Sequence, residues 1–385
     1  MRSWSLLPEV ILLLSFSSQA GAMAFFGDPP DANHPWAVHD SNRPQPPTVQ
    51  PGAFAGDAPS DAIILFDGTE ASLENWYHIK DAEQRQADWT VKDGALHSVR
   101  GAGSLASRVE FGDCQLHVEW MAPSEIKGTG QGRGNSGIFL MGMVEVQVLD
   151  NFQNPTYADG TVGAIYGLMP PAANSLREPG EWQRTDIIFR RPIVRDGVVL
   201  DEGSMTVLIN GVVVQDNASL AGGGGWKARK PLDRVFPEQG SLHLQDHGDP
   251  VRFRNIWYRP LRPRALEGGV EGRLSAEATQ AIRAVTASDL IDQAAQLEGM
   301  EQTFKLLESL VYQESDAVRR SVDTSLKTYL IPLSEMSSQA LESHKNTVRK
   351  LDRALAYLAK HGRLPADYFA LAIVQQLCEQ QAWKN

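Results

Sequence analysis

The chain of 385 residues lacks the features of a disulfide framework, a structural metal site or a nucleic-acid interface. It has only two cysteines, Cys114 and Cys378, with no Cys-x-x-Cys pair and no Cys/His cluster at zinc spacing. Lysine and arginine total 36 against 47 aspartate and glutamate residues, and the resulting charge of −11 repels a phosphate backbone. These features disfavour a nucleic-acid partner and indicate that both cysteines are packing residues.

Long hydrophobic runs are also scarce, and the run near the N-terminus has the pattern of an export signal. Arg2 precedes a short apolar run from Val10 to Phe16, and small residues around Ala22 offer a cleavage site. The alternative is an uncleaved membrane anchor from Val10 to Phe26, which is disfavoured because this run is barely long enough to span and contains serine and glutamine residues. We therefore predict that residues 1–24 are a signal peptide, that the protein is periplasmic or secreted, and that no membrane span remains after cleavage.

Composition divides the rest of the chain into three parts. Residues 25–58 are rich in proline, aspartate, glycine and alanine, which is typical of an extended or disordered linker. Residues 59–262 contain short stretches of alternating polarity separated by turn residues, which predicts an all-β domain. Beyond Pro263 the apolar residues recur at helical spacing, which predicts an α-helical bundle over residues 263–385. This bundle has no visible catalytic motif and is a candidate contact surface for a protein partner.

Two stretches define the β-domain best. Leu116, Val118 and Trp120 alternate with polar residues, which places the three side chains on one face of a strand. The Asn210-Gly211 pair lies between two apolar runs and favours the type I′ turn of a β-hairpin. Because strands of this kind recur at regular spacing, the sequence predicts a two-sheet β-sandwich.

Polar side chains concentrate on three strand-like stretches of this domain, namely residues 133–140, 145–150 and 244–257. Alternation places Glu145 and Gln147 on one face of their strand, with valines on the other. His243, Gln245 and His247 share one face of a later stretch. Such faces are either solvated or line a binding groove. The chain has no Gly-x-Ser-x-Gly motif, which disfavours a serine hydrolase.

An ordered set of short motifs makes the likeness to a known family specific. The motifs are Leu65-Phe66-Asp67-Gly68, Asp93-Gly94-Ala95-Leu96, Gly134-Asn135-Ser136-Gly137-Ile138, Glu145-Val146-Gln147-Val148-Leu149-Asp150, Gly163-Ala164-Ile165-Tyr166-Gly167, Pro179-Gly180-Glu181-Trp182, Leu244-Gln245-Asp246-His247-Gly248 and Arg252-Phe253-Arg254-Asn255-Ile256-Trp257. On these residues the chain resembles the 3-keto-disaccharide hydrolase family, whose members resemble lectins and glucanases in fold. The resemblance implies a concanavalin-like two-sheet sandwich, a jelly roll, with the glycine-rich stretch 128–132 as a departure at the groove rim.

The resemblance also implies cleavage of glycosides that carry a ketone at C3. The ketone makes the proton on C2 acidic, because the resulting anion is an enolate. Loss of that proton lets the group on C1 leave, and water then adds. Such a reaction needs a base poised near neutral pH, a group that stabilises the enolate oxygen, and polar groups that hold the sugar.

The family motifs supply a side chain for each of these roles. Either Glu145 or His247 is the candidate base, and the other would partner it or act as the acid. Arg254, Asn135 or a cation would stabilise the enolate. The residues expected to bind sugar are Asn135, Gln147, Tyr166, Trp182 and Gln245. The resemblance also makes a divalent cation, Ca²⁺ or Zn²⁺, a candidate cofactor, and its ligands would be Glu145, Asp150 and His247.

Two other functions fit the same fold. A two-carboxylate glycosidase of this fold has Glu-x-Asp-x-Glu on one strand, whereas here Gln147 takes the middle position and Asp150 is out of phase. A carbohydrate-binding module without catalysis would have the same sandwich, with the helical region as an interaction surface. We favour the enzyme, because Glu145, His247 and Arg254 lie within the most family-like segments.

Overall fold

The computed structural model of the chain describes residues 25–79 and 87–383. The predicted signal peptide, residues 1–24, lies outside them. The described residues form two compact units, a β-sandwich over residues 47–263 and a helical unit that combines residues 25–46 with residues 264–383. None of the helices described is both long enough and apolar enough to cross a membrane.

In the described part of the sandwich, antiparallel strands form three sheets. The eight-stranded sheet has the order β13 (Val212–Ser219), β12 (Ser204–Ile209), β9 (Gln183–Arg190), β6 (Cys114–Met121), β15 (Arg252–Pro260), β4 (Ala95–His97) and β3 (Thr90–Lys92), with β1 (Ile63–Phe66) also paired to β15. The five-stranded sheet has the order β2 (Trp76–His78), β5 (Leu105–Phe111), β14 (Gly240–Leu244), β7 (Ser136–Leu140) and β8 (Val144–Val148). A separate ribbon pairs β10 (Ile193–Arg195) with β11 (Val198–Asp201).

The core of the sandwich lies between the two large sheets. Leu116, Val118 and Trp120 of β6 are fully buried on one face of the eight-stranded sheet, as their alternation predicts. They belong to the same hydrophobic cluster as Ile138 and Val146 of the five-stranded sheet. Each such side chain stabilises the fold by roughly 1.5–3 kcal/mol through its burial. The predicted β-sandwich is therefore confirmed, with the β10–β11 ribbon as a third antiparallel sheet beside the two large ones.

The predicted hairpin is also confirmed. β12 and β13 pair in antiparallel register from Ile209 opposite Val212. The turn residues Asn210 and Gly211 have φ angles of 53° and 84°, the positive values that a type I′ turn requires.

The connection between β14 and β15, residues 245–251, carries the chain from the five-stranded sheet to the eight-stranded sheet. Side chains of this connection hold it in place. Asp246 Oδ2 accepts hydrogen bonds from the backbone amides of Gly101 and Gly103, at 2.8 and 3.0 Å. Asp249 Oδ2 accepts one from the amide of Asn135 at 2.8 Å. Residues close in sequence on either side of this connection therefore lie in different sheets.

Residues 25–58 contain no described helix or strand, but they differ from the predicted disordered linker. Within the helical unit, the Asn42 amide donates to Glu308 Oε1 at 2.8 Å, and the Tyr312 hydroxyl donates to Asp40. Within the sandwich, the Gly56 carbonyl oxygen accepts from the side chains of Asn255 and Trp257. A proline-rich composition disfavours regular structure but leaves side chains and carbonyl groups free to pack.

The helical unit contains six α-helices among its described residues. They are α1 (Ala276–Ala294), α2 (Gly299–Tyr312), α3 (Asp316–Leu333), α4 (Ser338–Leu341), α5 (Lys345–Lys360) and α6 (Phe369–Gln380). Val348, Leu351, Leu355 and Leu358 of α5 are fully buried, which agrees with the helical spacing of apolar residues beyond Pro263. Cys378 in this unit and Cys114 in the sandwich are both buried and unpaired.

Candidate active site

The outer face of the five-stranded sheet, which points away from the core, carries a row of polar and aromatic side chains. The strand register aligns His243 of β14 with Phe139 of β7, and Phe139 with Glu145 of β8. The residue after each of these in its strand is fully buried in the core, so alternation turns the three side chains outward. Paired residues on neighbouring strands lie roughly 5 Å apart, which places Glu145 and His243 on either side of Phe139.

A second row lies beside the first. The backbone amide of Gln245 donates to the Gly137 carbonyl oxygen at 3.0 Å, and Gly137 pairs with Gln147. A Cβ atom on Gly137 would lie 2.3 Å from Glu145 Oε1, which is far inside van der Waals contact. Glycine at this position therefore provides the space that the Glu145 carboxyl group occupies.

The segment after residue 162 extends this face beyond β8. Val146 forms an antiparallel bridge with Ile165, and the Tyr166 amide donates to the Glu145 carbonyl oxygen at 3.1 Å. In antiparallel register this places Tyr166 directly opposite Glu145, with its side chain on the same face. The hydroxyl groups of Tyr166 and Tyr157 lie 2.9 Å apart. Burial, together with this hydrogen bond, raises the pKa of Tyr166, so the phenol is protonated at neutral pH.

Glu145 has the electrostatic character of a base poised near neutral pH. In the part of the chain that the structure describes, its carboxyl group makes no hydrogen bond or ion pair. Burial without a partner disfavours the charged form and raises the pKa of Glu145 to about 7. The carboxyl group therefore changes its protonation state in the range where a general base is most effective.

A chain of side-chain amides forms one end of the site. Gln147 Nε2 donates to Asn135 Oδ1 at 3.1 Å, and Asn135 Nδ2 donates to the Gln131 carbonyl oxygen at 2.7 Å. Gln131 belongs to a 3₁₀ turn over Gly130–Gly132, and its own amide donates to the Gly160 carbonyl oxygen. Because both groups of an amide can hydrogen-bond, this chain suits recognition of sugar hydroxyl groups.

His243 and Gln245 lie on the same face as Glu145. Burial lowers the pKa of His243, so its imidazole is neutral at pH 7. The ring packs over Gly142, where a Cβ atom would lie 2.3 Å from His243 Cε1. The side-chain oxygen of Gln245 is buried and has no hydrogen-bond donor among the described residues. An acceptor of this kind on the site face suits a ligand hydroxyl group.

The structure thus brings four of the predicted sugar-binding residues, Asn135, Gln147, Tyr166 and Gln245, to the same face as Glu145. Two residues of the site were missed as candidates. His243 shares the alternating pattern of Gln245, so strand periodicity carried the signal for it. Gln131 lies in the glycine-rich stretch, whose composition gives no indication of where its side chain points.

His247 is not placed as predicted. Its side chain is exposed in the connection after β14, and across the described residues no hydrogen bond or ion pair joins it to Glu145. The prediction extended the strand alternation of His243 and Gln245 to His247. The strand ends at Leu244, so alternation no longer sets the direction of the later side chain.

The predicted cation ligands do not fit a metal ion. Asp150 is 4% exposed, and its carboxylate accepts from Arg133 Nε at 2.7 Å and from Nη2 at 3.2 Å. Glu145 and His247 are not joined to it, and the described ranges contain no group of three His, Cys, Asp or Glu side chains able to hold a metal. Asp150 is therefore half of a buried ion pair, and no step of the reaction is assigned to a cation.

Arg254 and Trp182 lie on the wrong sheet for the predicted site. Arg254 Nε donates to Glu119 Oε2 at 2.6 Å, and its guanidinium lies 4.0 Å from the centre of the Trp182 ring. Phe253 is fully buried in the core, so Arg254 points outward from the eight-stranded sheet. The core separates this position from Glu145, which corrects the assignment of Arg254 to the enolate and of Trp182 to the sugar.

Comparison with known proteins gives the sandwich a family context. The profile of a family described as the 3-keto-alpha-glucoside-1,2-lyase-like domain matches residues 61–259. A 3-keto-disaccharide hydrolase of Bacteroides thetaiotaomicron is 26% identical over 243 residues, which cover 52% of this chain and 78% of that protein. A crystal structure from Parabacteroides distasonis ATCC 8503, provisionally described as a glycosyl hydrolase, is 41% identical, with a TM-score of 0.53, and covers 57% of this chain and 93% of that one.

Proposed function

Because the chain belongs to the 3-keto-alpha-glucoside-1,2-lyase-like domain family, we propose that its sandwich cleaves 3-keto-glycosides by removing the proton on C2. The observation that carries the proposal is the half-buried carboxyl group of Glu145, which has no hydrogen-bond or ion-pair partner among the described residues and whose pKa is raised by desolvation to about 7. The relative named a 3-keto-disaccharide hydrolase supports the choice of substrate. The coarser function, a carbohydrate hydrolase, rests on the same family and on the glycosyl hydrolase neighbour.

The first step transfers the C2 proton to Glu145. The electron pair of the C2–H bond moves toward the C3 carbonyl group and forms an enolate. When the carbonyl re-forms, a C1–C2 double bond is made and the glycosidic C1–O bond breaks, so the leaving group takes that electron pair and a proton. Addition of water across C1 and C2 gives the free 3-keto sugar. Glu145 is suited to the first step because a base with a pKa near the working pH is both available and strong enough.

Tyr166 is the hydroxyl donor closest in register to Glu145. Since its pKa is raised, the phenol stays protonated and can donate to an oxygen atom that gains negative charge. Its partner hydroxyl on Tyr157 allows the proton to be replaced through the hydrogen bond between them. We assign Tyr166 to the enolate or leaving-group oxygen, whereas the sequence had suggested Arg254, Asn135 or a cation for the enolate.

The remaining polar groups fit a neutral sugar. Gln147, Asn135 and Gln245 offer amide donors and acceptors at one end of the face, and Phe139 lies between Glu145 and His243. An aromatic ring with polar groups around it binds the apolar face of a sugar while its hydroxyl groups are hydrogen-bonded.

Two further proposals rest on the family resemblance and on the N-terminal sequence. The sandwich is proposed to be a concanavalin-like jelly roll. The charge pattern and short apolar run of residues 1–24 support export to the periplasm or medium. Cell fractionation followed by N-terminal sequencing tests the second proposal. Recovery from the cytoplasm alone would contradict export, and an intact Met1 in the exported protein would contradict cleavage of residues 1–24.

Turnover of a 3-keto-glycoside tests the catalytic proposal. The purified protein is incubated with 3-keto and unmodified forms of the same disaccharide, and products are identified by mass spectrometry and NMR. We expect release of the leaving group from the 3-keto form alone, and a loss of at least about 10³-fold in kcat for Glu145→Gln, because removal of a general base costs about this much.

Glu110→Gln is the matched control, since Glu110 is an exposed carboxylate on the same sheet. It should keep full activity. Equal turnover by wild type and Glu145→Gln would remove Glu145 from the mechanism. Binding of the sugar without any turnover by wild type would instead favour the carbohydrate-binding module.

A further inference from the structure

We propose that Trp226, together with Tyr157, forms a platform for the leaving group of the glycoside, so that the enzyme selects a second sugar ring over a small aglycone. This inference rests on the proposed function and specifies the substrate class of the same site. It depends on a loop between β13 and β14 that the family motifs do not include.

The loop is fixed against the edge of the site by glycine backbone contacts. A Cβ atom on Gly224 would lie 2.0 Å from the Tyr166 carbonyl oxygen, and one on Gly167 would lie 2.6 Å from the Gly225 carbonyl oxygen. Backbone approaches this close are possible only without side chains. The Lys230 amide also donates to the Gly223 carbonyl oxygen at 3.0 Å, which closes the loop on itself. The backbone that leads into Trp226 therefore lies directly beside the segment that carries Tyr166.

Trp226 leaves more apolar surface exposed to water than tryptophan usually does. The side chain is 66% exposed, although tryptophan is among the side chains with the most apolar surface to bury. The Lys227 ammonium lies 4.9 Å from its ring centre, and that contact leaves most of the indole open to solvent. An exposed aromatic surface at the edge of a site is characteristic of a ligand contact.

Tyr157 is a second exposed aromatic side chain, next to Tyr166. It is 41% exposed, and its ring centre lies 6.4 Å from that of Tyr166. The ring is held over Gly160, where a Cβ atom would come within 2.0 Å of it. Tyr166, with Tyr157 beside it, thus lies on the side of Glu145 that is opposite to Phe139, and the backbone next to Trp226 borders the same segment. The proposal places the oxidised sugar over Phe139 and the group on C1 on this aromatic side.

The chemistry of the platform fits a sugar ring. Each hexose has a face of C–H groups that packs on an aromatic ring and a rim of hydroxyl groups that hydrogen-bond to phenols. Tyr and Trp provide this amphipathic contact with few rotatable bonds, so little conformational entropy is lost on binding. A methyl aglycone has no ring that could stack on the indole.

The test compares Trp226→Ala with wild type on two substrates, a 3-keto-disaccharide and the methyl 3-keto-glucoside. We expect the ratio of kcat/KM values, disaccharide over methyl glycoside, to fall at least about ten-fold, with the change carried by KM, because about 1.4 kcal/mol of lost stacking corresponds to a factor of ten. Trp226→Phe should restore most of the ratio. Val235→Ala should leave it unchanged, since Val235 is 75% exposed in the same loop.

An unchanged ratio in Trp226→Ala overturns the platform. A second measurement separates this outcome from failure of the proposed reaction. Calorimetric titration of Glu145→Gln with the unoxidised disaccharide needs no turnover, and adding Trp226→Ala should weaken binding about ten-fold. Equal binding with and without the indole contradicts the platform even if the reaction is correct. Weakened binding in a protein that turns over no 3-keto-glycoside supports the platform and rejects the reaction.

Discussion

At the scale of single residues, the position of Glu145 disfavours its charged form and at the same time suits the carboxyl group to act as a general base. A carboxyl group buried without a partner destabilises its ionised form, and residues held at such a cost concentrate at functional sites. Its neighbours leave the charge uncompensated, because His243 is neutral at pH 7 and the other polar groups described on the face are amides and phenols. These surroundings therefore make the Glu145 carboxylate a stronger base than an exposed carboxylate.

The pH dependence of the reaction should report this carboxyl group. Since Glu145 must be ionised to take a proton and its pKa is about 7, kcat/KM should rise with pH through that value and level off above it. Steady-state kinetics between pH 5 and 9 on a 3-keto-glycoside measures the profile. A carboxylate of ordinary pKa would give a profile already flat above pH 5.5, which would show that Glu145 is not the titrating base.

Gly137 should be as important as the carboxyl group that it accommodates. In Gly137→Ala, the new Cβ atom would lie 2.3 Å from Glu145 Oε1 and force the carboxyl group to move. We expect kcat/KM to fall by about ten-fold to one hundred-fold, the size of effect that a displacement near 1 Å has on positioned groups. Circular dichroism should show an unchanged fold.

The control for this substitution is Gly132→Ala. A Cβ atom on Gly132 meets nothing within 4 Å, so activity should change little. If both variants had wild-type kcat/KM, the space that Gly137 leaves for the Glu145 carboxyl group would not be needed for activity.

At the scale of strands, alternation was sufficient to predict which side chains share a face but not which sheet a strand joins. The period of two placed Glu145 with Gln147 and His243 with Gln245 correctly. Nothing in that period indicates that residues 245–251 cross between sheets, and this crossing moves Arg254 to the far side of the core. Sheet membership is decided by backbone pairing between distant segments, which the local sequence does not encode.

Arg254 should accordingly support the fold rather than the reaction. In Arg254→Met, Glu119 loses its 2.6 Å partner and the packing on Trp182 is weakened, so the free energy of unfolding should fall by about 1–2 kcal/mol. We expect kcat/KM to stay within about three-fold of wild type. Urea denaturation and steady-state kinetics measure the two quantities. A folded variant without activity would return Arg254 to the active site.

At the scale of the whole molecule, the chain consists of two units with separate cores, and the family match covers only the sandwich. Composition predicted the change from strands to helices near Pro263, because periodicity changes there. It did not predict that residues 25–46 belong to the helical unit, since their contacts involve Asp40 and Asn42 with side chains more than 260 positions away.

Separate cores predict separate responses to a core substitution. Leu355→Ala removes a fully buried side chain of the helical unit and should lower its stability by about 2–5 kcal/mol. Amide hydrogen exchange should show lost protection in α2, α3, α5 and α6, with β6 and β15 unchanged. The matched Leu116→Ala should affect the sandwich strands instead. Equal loss of protection in both units after either substitution would contradict separate cores.

The fate of the hydrogen on C2 tests the central claim most directly. A 3-keto-disaccharide labelled with deuterium at C2 is turned over in ordinary water, the released 3-keto sugar is analysed by NMR, and an enzyme-free sample corrects for spontaneous exchange. Proton removal at C2, followed by elimination and hydration, predicts that the product carries hydrogen from the solvent at C2. Product that keeps its deuterium, together with equal kcat/KM for the labelled and unlabelled substrates, would show that the C1–O bond breaks without removal of that proton, and the assignment of Glu145 as the C2 base would be wrong.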